Sequence, residues 1–185
     1  MEIHKSCSFF GHRNTKVTKN LKQKVKDVVE DLIVNYNVTI FIFGSRSNFD
    51  SLCHLVVTEL KEKYSNIKRI AFTCKSETCI LESERKKWEE IYSHLQKHEV
   101  HLLCFEEEFE HKTKYIAGKP SYIQRNYAMI NSSDYCVFYY DKNYVPDMRK
   151  YSKKSAVYYQ PKSGTFLAYN YAKQKKKILI NIKQK

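Results

Sequence analysis

Glycine is scarce in this chain of 185 residues, with four in all. Three of them, Gly11, Gly44 and Gly164, stand where an apolar strand or a loop turns into a helix. Neither the Gly-x-Gly-x-x-Gly fingerprint nor the Walker pattern occurs, which argues against dinucleotide dehydrogenase and P-loop ATPase chemistry. No apolar run approaches the roughly 20 residues that cross a bilayer. The opening Met1-Glu2-Ile3-His4-Lys5 lacks the apolar core of a signal peptide, so a cytoplasmic protein without a membrane partner is expected. Paired cysteines are also missing. Cys7, Cys53, Cys74, Cys79, Cys104 and Cys136 form no Cys-x-x-Cys and read as reduced core thiols. His98, His101 and Cys104 lack the paired spacing of a structural zinc site, so neither a metal nor a cofactor is expected.

What the chain has in excess is positive charge, a formal +13. Lysines are spread along it, with clusters at Arg149-Lys150, Lys153-Lys154 and 173–177, against an acidic stretch at 106–110. A basic field suits single-stranded nucleic acid and suits a phosphorylated small molecule equally well. The abundance of Asn, Ile, Tyr and Phe assigns part of the lysine excess to compositional bias.

Short β-rich runs alternate with amphipathic helical patterns, the signature of a parallel α/β sheet. Strands are expected at 6–11, 39–44, 69–73, 100–105, 135–140 and 177–182. Helices are expected between them. The first carries Val17, Leu21, Val25, Val28, Leu32 and Ile33 on one face, and the second carries Phe49, Leu52, Cys53, Val56, Val57 and Leu60. Later helices are expected at 81–96, from an N-cap at Ser121 to about 132, and at 165–175. The pattern predicts one domain over 1–185. It is a Rossmann-like α/β three-layer sandwich with a mostly parallel sheet of about six strands flanked by helices. The segment 141–162 follows neither period and reads as a binding loop or lid.

In such sheets ligands bind beyond the carboxyl ends of the strands. Gly11-His12-Arg13 follows the first strand, Gly44-Ser45-Arg46 the second, and Ser163-Gly164-Thr165 opens the last helix. Glycine at such corners permits close backbone approach, and the helix N-termini offer free N–H groups to an anion. Arg13 and Arg46 can pair with phosphate oxygens. Arg125 and Asn126 can reach the same edge. Asp134 is either a turn residue before the fifth strand or a ribose or base contact. Tyr139, Tyr140, Tyr144, Tyr151, Tyr158 and Tyr159 can stack on a base or pack on the domain.

Four blocks, in order, carry a resemblance. They are Cys-Ser-Phe-Phe-Gly-His-Arg from Cys7, Phe-Gly-Ser-Arg-Ser-Asn-Phe-Asp ending at Asp50, Tyr-Ile-Gln-Arg-Asn-Tyr-Ala-Met-Ile-Asn-Ser-Ser-Asp ending at Asp134, and Lys-Ser-Gly-Thr-Phe-Leu-Ala-Tyr-Asn-Tyr-Ala from Lys162. Together they resemble the bacterial YpsA-like branch of the SLOG superfamily, Rossmannoid relatives of the DprA/Smf proteins and the LOG phosphoribohydrolases. The resemblance implies a pocket for a nucleotide-type molecule (AMP, ADP-ribose or NAD-like). Its matching positions are Gly11, His12, Arg13, Gly44, Ser45, Asp50, Arg125, Asn126, Ser163, Gly164 and Thr165. LOG enzymes hydrolyse an N-glycosidic bond with a glutamate where this chain has Ala168, and Asn131 stands where an aspartate is common. Hydrolysis or transfer here would draw on Asp50 or Asp134 with Arg125. A ligand sensor is therefore the preferred reading, with a glycosidic-bond enzyme and a single-stranded nucleic-acid module as alternatives. A homo-oligomer is compatible with each.

Overall fold

A computed structural model describes residues 4–44, 47–74, 105–112, 119–152, 154 and 156–184. The fold is organised by adjacent residues of the central strands entering opposite cores. In β1 (Lys5–Gly11), Phe9 joins one apolar cluster and Phe10 the other. In β2 (Val38–Phe43), Phe41 and Phe43 face the first cluster and Ile42 the second. In β5 (Tyr135–Tyr139), Val137 and Phe138 divide the same way. Strands apolar on both faces require helices on both faces, which is the parallel-sheet condition.

One face is covered by α1 (Lys19–Tyr36) and α2 (Asn48–Lys61), the other by α3 (Lys119–Asn131) and α4 (Gly164–Gln174). Leu21, Val25, Val29 and Leu32 bury the inner side of α1, at steps of three and four. All six residues expected on the inner face of α2 are buried. Val17, expected on the α1 face, is 49% exposed. It lies outside the helix because the Thr18 hydroxyl caps it, accepting the Leu21 N–H at 3.1 Å. Ser121 lies inside the first turn of α3 and is not its cap.

With β3 (Lys68–Thr73), β4 (Glu107–Glu110) and β8 (Ile178–Asn181), the strands form a six-stranded sheet in the order β4-β3-β2-β1-β5-β8, every pair parallel. This is the Rossmann-like sandwich that the pattern predicts. The helix expected at 81–96 and all but Phe105 of the strand expected at 100–105 lie outside the described residues. Residues 107–110 of the acidic stretch form β4, the edge strand among the described residues, with its side chains exposed. A charged edge resists pairing with another chain. The segment 141–162 contains an antiparallel hairpin that lacks a sequence signature, β6 (Arg149–Lys150) with β7 (Tyr158–Tyr159). Two-residue strands are too short to show a period. No helix among the described residues is long and apolar enough to cross a membrane.

The attachment of β4 rests on Arg69, which is 5% exposed. Its guanidinium donates to the two Glu106 carboxylate oxygens at 2.6 and 3.1 Å and to the Thr58 hydroxyl at 2.9 Å, while its backbone N–H donates to Glu106 at 2.6 Å. Burial alone would raise the Glu106 carboxyl. The hydrogen bonds from Arg69, together with the charges of Arg69 and Lys61, outweigh it and hold the group down at about 2. A depressed carboxyl contributes stability above its unfolded value of about 4.3 and loses it as pH falls toward 2. Glu106→Gln therefore costs on the order of 3 kcal/mol at pH 7, because it strands a buried guanidinium. Urea melts at a series of pH values should show the gap between wild type and variant closing below about pH 4.

Candidate functional site

The sheet changes direction at β1, between β2 and β5, and a cavity of about 620 Å³ opens there at the carboxyl edge. That volume lies within the usual range for small-molecule sites. Of the sequence-predicted residues, Gly11, His12, Arg13, Arg125, Asn126, Ser163, Gly164 and Thr165 line it. Ser45 and Arg46 lie outside the described residues.

Three predicted residues are not on the cavity wall. Gly44 lies behind it, and the reason for that glycine is packing. A Cβ there would come within 2.6 Å of Met129 Sδ, 2.8 Å of the Phe72 carbonyl oxygen and 3.1 Å of Arg125 Nε. Asp50 is buried in the first turn of α2, where its N–H donates to the capping Ser47 hydroxyl at 3.1 Å and its charge suits the helix dipole. Asp134 is at the opposite edge of the sheet. Its carboxylate accepts from the Ser6 N–H at 2.9 Å and the Ser6 hydroxyl at 3.1 Å, tying the starts of β5 and β1 together. It sits at the turn before β5 and does not line the cavity.

The β1–α1 corner is braced from several sides. Thr15 donates its hydroxyl to the His12 carbonyl at 2.7 Å, and the Asn48 N–H donates to the Arg13 carbonyl at 3.0 Å. Gly11 leaves room for α2, since a Cβ there would meet the Phe49 side chain at 2.4 Å. His12 is 7% exposed, and its Nε2 accepts the Asp141 N–H at 3.1 Å. The ring proton therefore sits on Nδ1, a buried atom with no hydrogen-bond partner among the described residues. Burial pushes the His12 ring below its ordinary value, Lys183 pushes the same way, and the Asp141 carboxylate opposes them. Tyr144, from the segment leading to the hairpin, covers His12 with ring centroids 4.0 Å apart.

The α4 corner presents a helix N-terminus. The Ser163 hydroxyl accepts the Phe166 N–H at 3.0 Å, which leaves its own hydrogen available to a ligand. A Cβ on Gly164 would meet nothing within 4 Å. Here alone among the three glycine corners, no atom of the described residues accounts for the glycine, and the open space is the cavity.

The sequence reading did not assign Lys119, Asp147, Arg149 or Lys162 to the wall. With Arg13 and Arg125 the wall holds, among the described residues, five cationic side chains against one carboxylate, Asp147. The signal available beforehand was the basic pair Arg149-Lys150 within an aperiodic loop beside aromatic residues. The family model for YpsA, described as the YspA SLOG family, matches residues 4–173. The chain belongs to this family. No curated protein matches it. In this SLOG chain Ala168 is fully buried in the cluster with Phe10 and Phe138. His98, His101 and Cys104 lie outside the described residues.

Two stability measurements check this geometry. Gly44→Ala should cost about 2 kcal/mol or more, since the Phe72 carbonyl cannot yield as a flexible side chain would. His12→Asn should cost about 1 kcal/mol at pH 7.5 through the lost Asp141 contact. A ring with a lowered folded value contributes stability above about pH 6.5 and loses it as pH falls below that. Thermal melts should therefore find wild type and His12→Asn converging from pH 7.5 to pH 5.

Proposed function

We propose that this chain is one ligand-binding domain that recognises a nucleotide or nucleotide-derived molecule, such as AMP, ADP-ribose or an NAD-like compound, and acts as a sensor. The observation that carries the reading is the cavity at the strand-order switch, with five cations and one carboxylate on its wall beside the N-terminus of α4. Wall charge of this sign selects an anion. Unbonded N–H groups at a helix N-terminus select phosphate-like geometry. Tyr122 and Tyr144 on the same wall provide flat apolar surface for a base.

A glycosidic-bond hydrolase is the weaker reading. Its two carboxylate candidates, Asp50 and Asp134, are not on the wall, and the alanine at 168 faces the core. Among the described residues of the wall, Asp147 is the one carboxylate that could serve.

Thermal unfolding against AMP, ADP, ADP-ribose, NAD and other nucleoside monophosphates tests the proposal. A ligand at about 100 times its Kd adds about 2.7 kcal/mol of stability. Gly164→Asp should unfold within about 0.5 kcal/mol of wild type, having open space for its side chain and a carboxylate favourable at a helix N-terminus. The same substitution should abolish the ligand shift by placing negative charge where phosphate binds. If no member of the panel shifts the wild type, the nucleotide reading fails. Release of free base on incubation would move the assignment to the enzyme.

A further inference from the structure

Lys119 opens α3 and Arg149 belongs to the β6–β7 hairpin, yet both reach the same cavity. The Lys119 ammonium donates to the Lys162 carbonyl oxygen at 2.6 Å. Lys162 immediately precedes the Ser163 cap of α4, so this ammonium lies within one residue of the helix N-terminus. A phosphate seated on α4 would therefore have a second cationic position directly beside it. Burial lowers the Lys119 ammonium from its ordinary value, and the nearby charge of Arg149 lowers it further. Two like charges on the wall of one cavity repel each other, and an anion between them relieves that repulsion.

The hairpin holding Arg149 has contacts of its own among the described residues. The Tyr151 and Tyr159 rings pack at a tilt with centroids 4.7 Å apart, and the Gln160 side-chain amide donates to the Pro146 carbonyl. Much of its apolar surface faces solvent, with Tyr151 70% and Val157 60% exposed. A ligand held through Arg149 would add a link between this outlying element and the sheet edge.

Building on the nucleotide reading above, we propose that Lys119 and Arg149 form a subsite for a second, adjoining phosphate. The pocket then favours a diphosphate or pyrophosphate-bridged nucleotide over a monophosphate, and ligand binding fastens the hairpin through Arg149. The adjacency of Lys119 to the α4 N-terminus selects two linked phosphates over two distant ones.

Calorimetric titration of the full chain with inorganic phosphate, pyrophosphate, AMP and ADP tests this. Wild type should bind pyrophosphate at least tenfold more tightly than phosphate, and ADP more tightly than AMP. Lys119→Gln and Arg149→Gln should each weaken pyrophosphate binding about tenfold and leave phosphate within threefold. Lys119→Arg and Arg149→Lys, which keep the charge, should recover most of the loss. Trypsin cleavage after Lys150 should slow under saturating pyrophosphate in wild type and not in Arg149→Gln. Equal losses for both anions, or no loss for either, would overturn the subsite while AMP binding still upheld the nucleotide pocket. If wild type bound none of the four ligands, both readings would fall together.

Discussion

β1 is hydrogen-bonded in parallel to β2 on one side and β5 on the other, and it is buried on both faces. Every other element is placed by this double constraint. From β1 the strands run outward through β2, β3 and β4 in one direction and through β5 and β8 in the other. Helices crossing between parallel strands must return along the faces. At the carboxyl edge the connections after β1 and β5 therefore part in opposite directions, and their divergence opens the crevice. Phe9 and Phe10, one for each core, make that position specific, because a one-residue slip would exchange the faces of the whole strand.

Charge is organised as firmly as apolar surface. Among the described residues one edge of the sheet is the acidic strand β4, fastened through the Arg69–Glu106 pair, while the cavity wall gathers cations from the β1–α1 corner, α3, the hairpin and the residue before the Ser163 cap of α4. In the fold, Arg69 is matched by a carboxylate. At the cavity, five cations face one carboxylate. A surplus gathered in a concave site raises the local potential for anions, whereas the same charges spread over a convex surface would be screened within about 10 Å.

The three glycine corners show how one residue type serves different ends. Gly11 admits Phe49, and Gly44 admits Met129 and Arg125, so both secure the framework behind the cavity. Gly164 faces open space at the N-terminus of α4. His12 joins framework and site, because its ring accepts from Asp141 while its face carries Tyr144. The hairpin segment is thereby linked to the end of β1 at the point where the cavity begins.

Fold class, parallel sheet, the strands β1, β2, β3, β5 and β8 and most of the cavity wall near the two helix corners were legible in the sequence. The apolar runs and the face periodicities of α1 and α2 are local patterns, and burial acts on them directly. The charged edge strand β4 and the two-residue strands of the hairpin were not legible, since pairing with a distant partner, and not composition, makes them strands. The same limit applied to the site. Asp134 follows a helix as a site residue could, but the parallel sheet puts it at the opposite edge from Gly11. Lys119, Arg149 and Lys162 are far apart in the chain and look like any other lysine and arginine. Local sequence therefore determined which segments fold and where the chain turns at the carboxyl edge of the sheet. Tertiary structure decided which charges meet there, because convergence depends on strand order, and strand order is fixed by packing between segments remote in sequence.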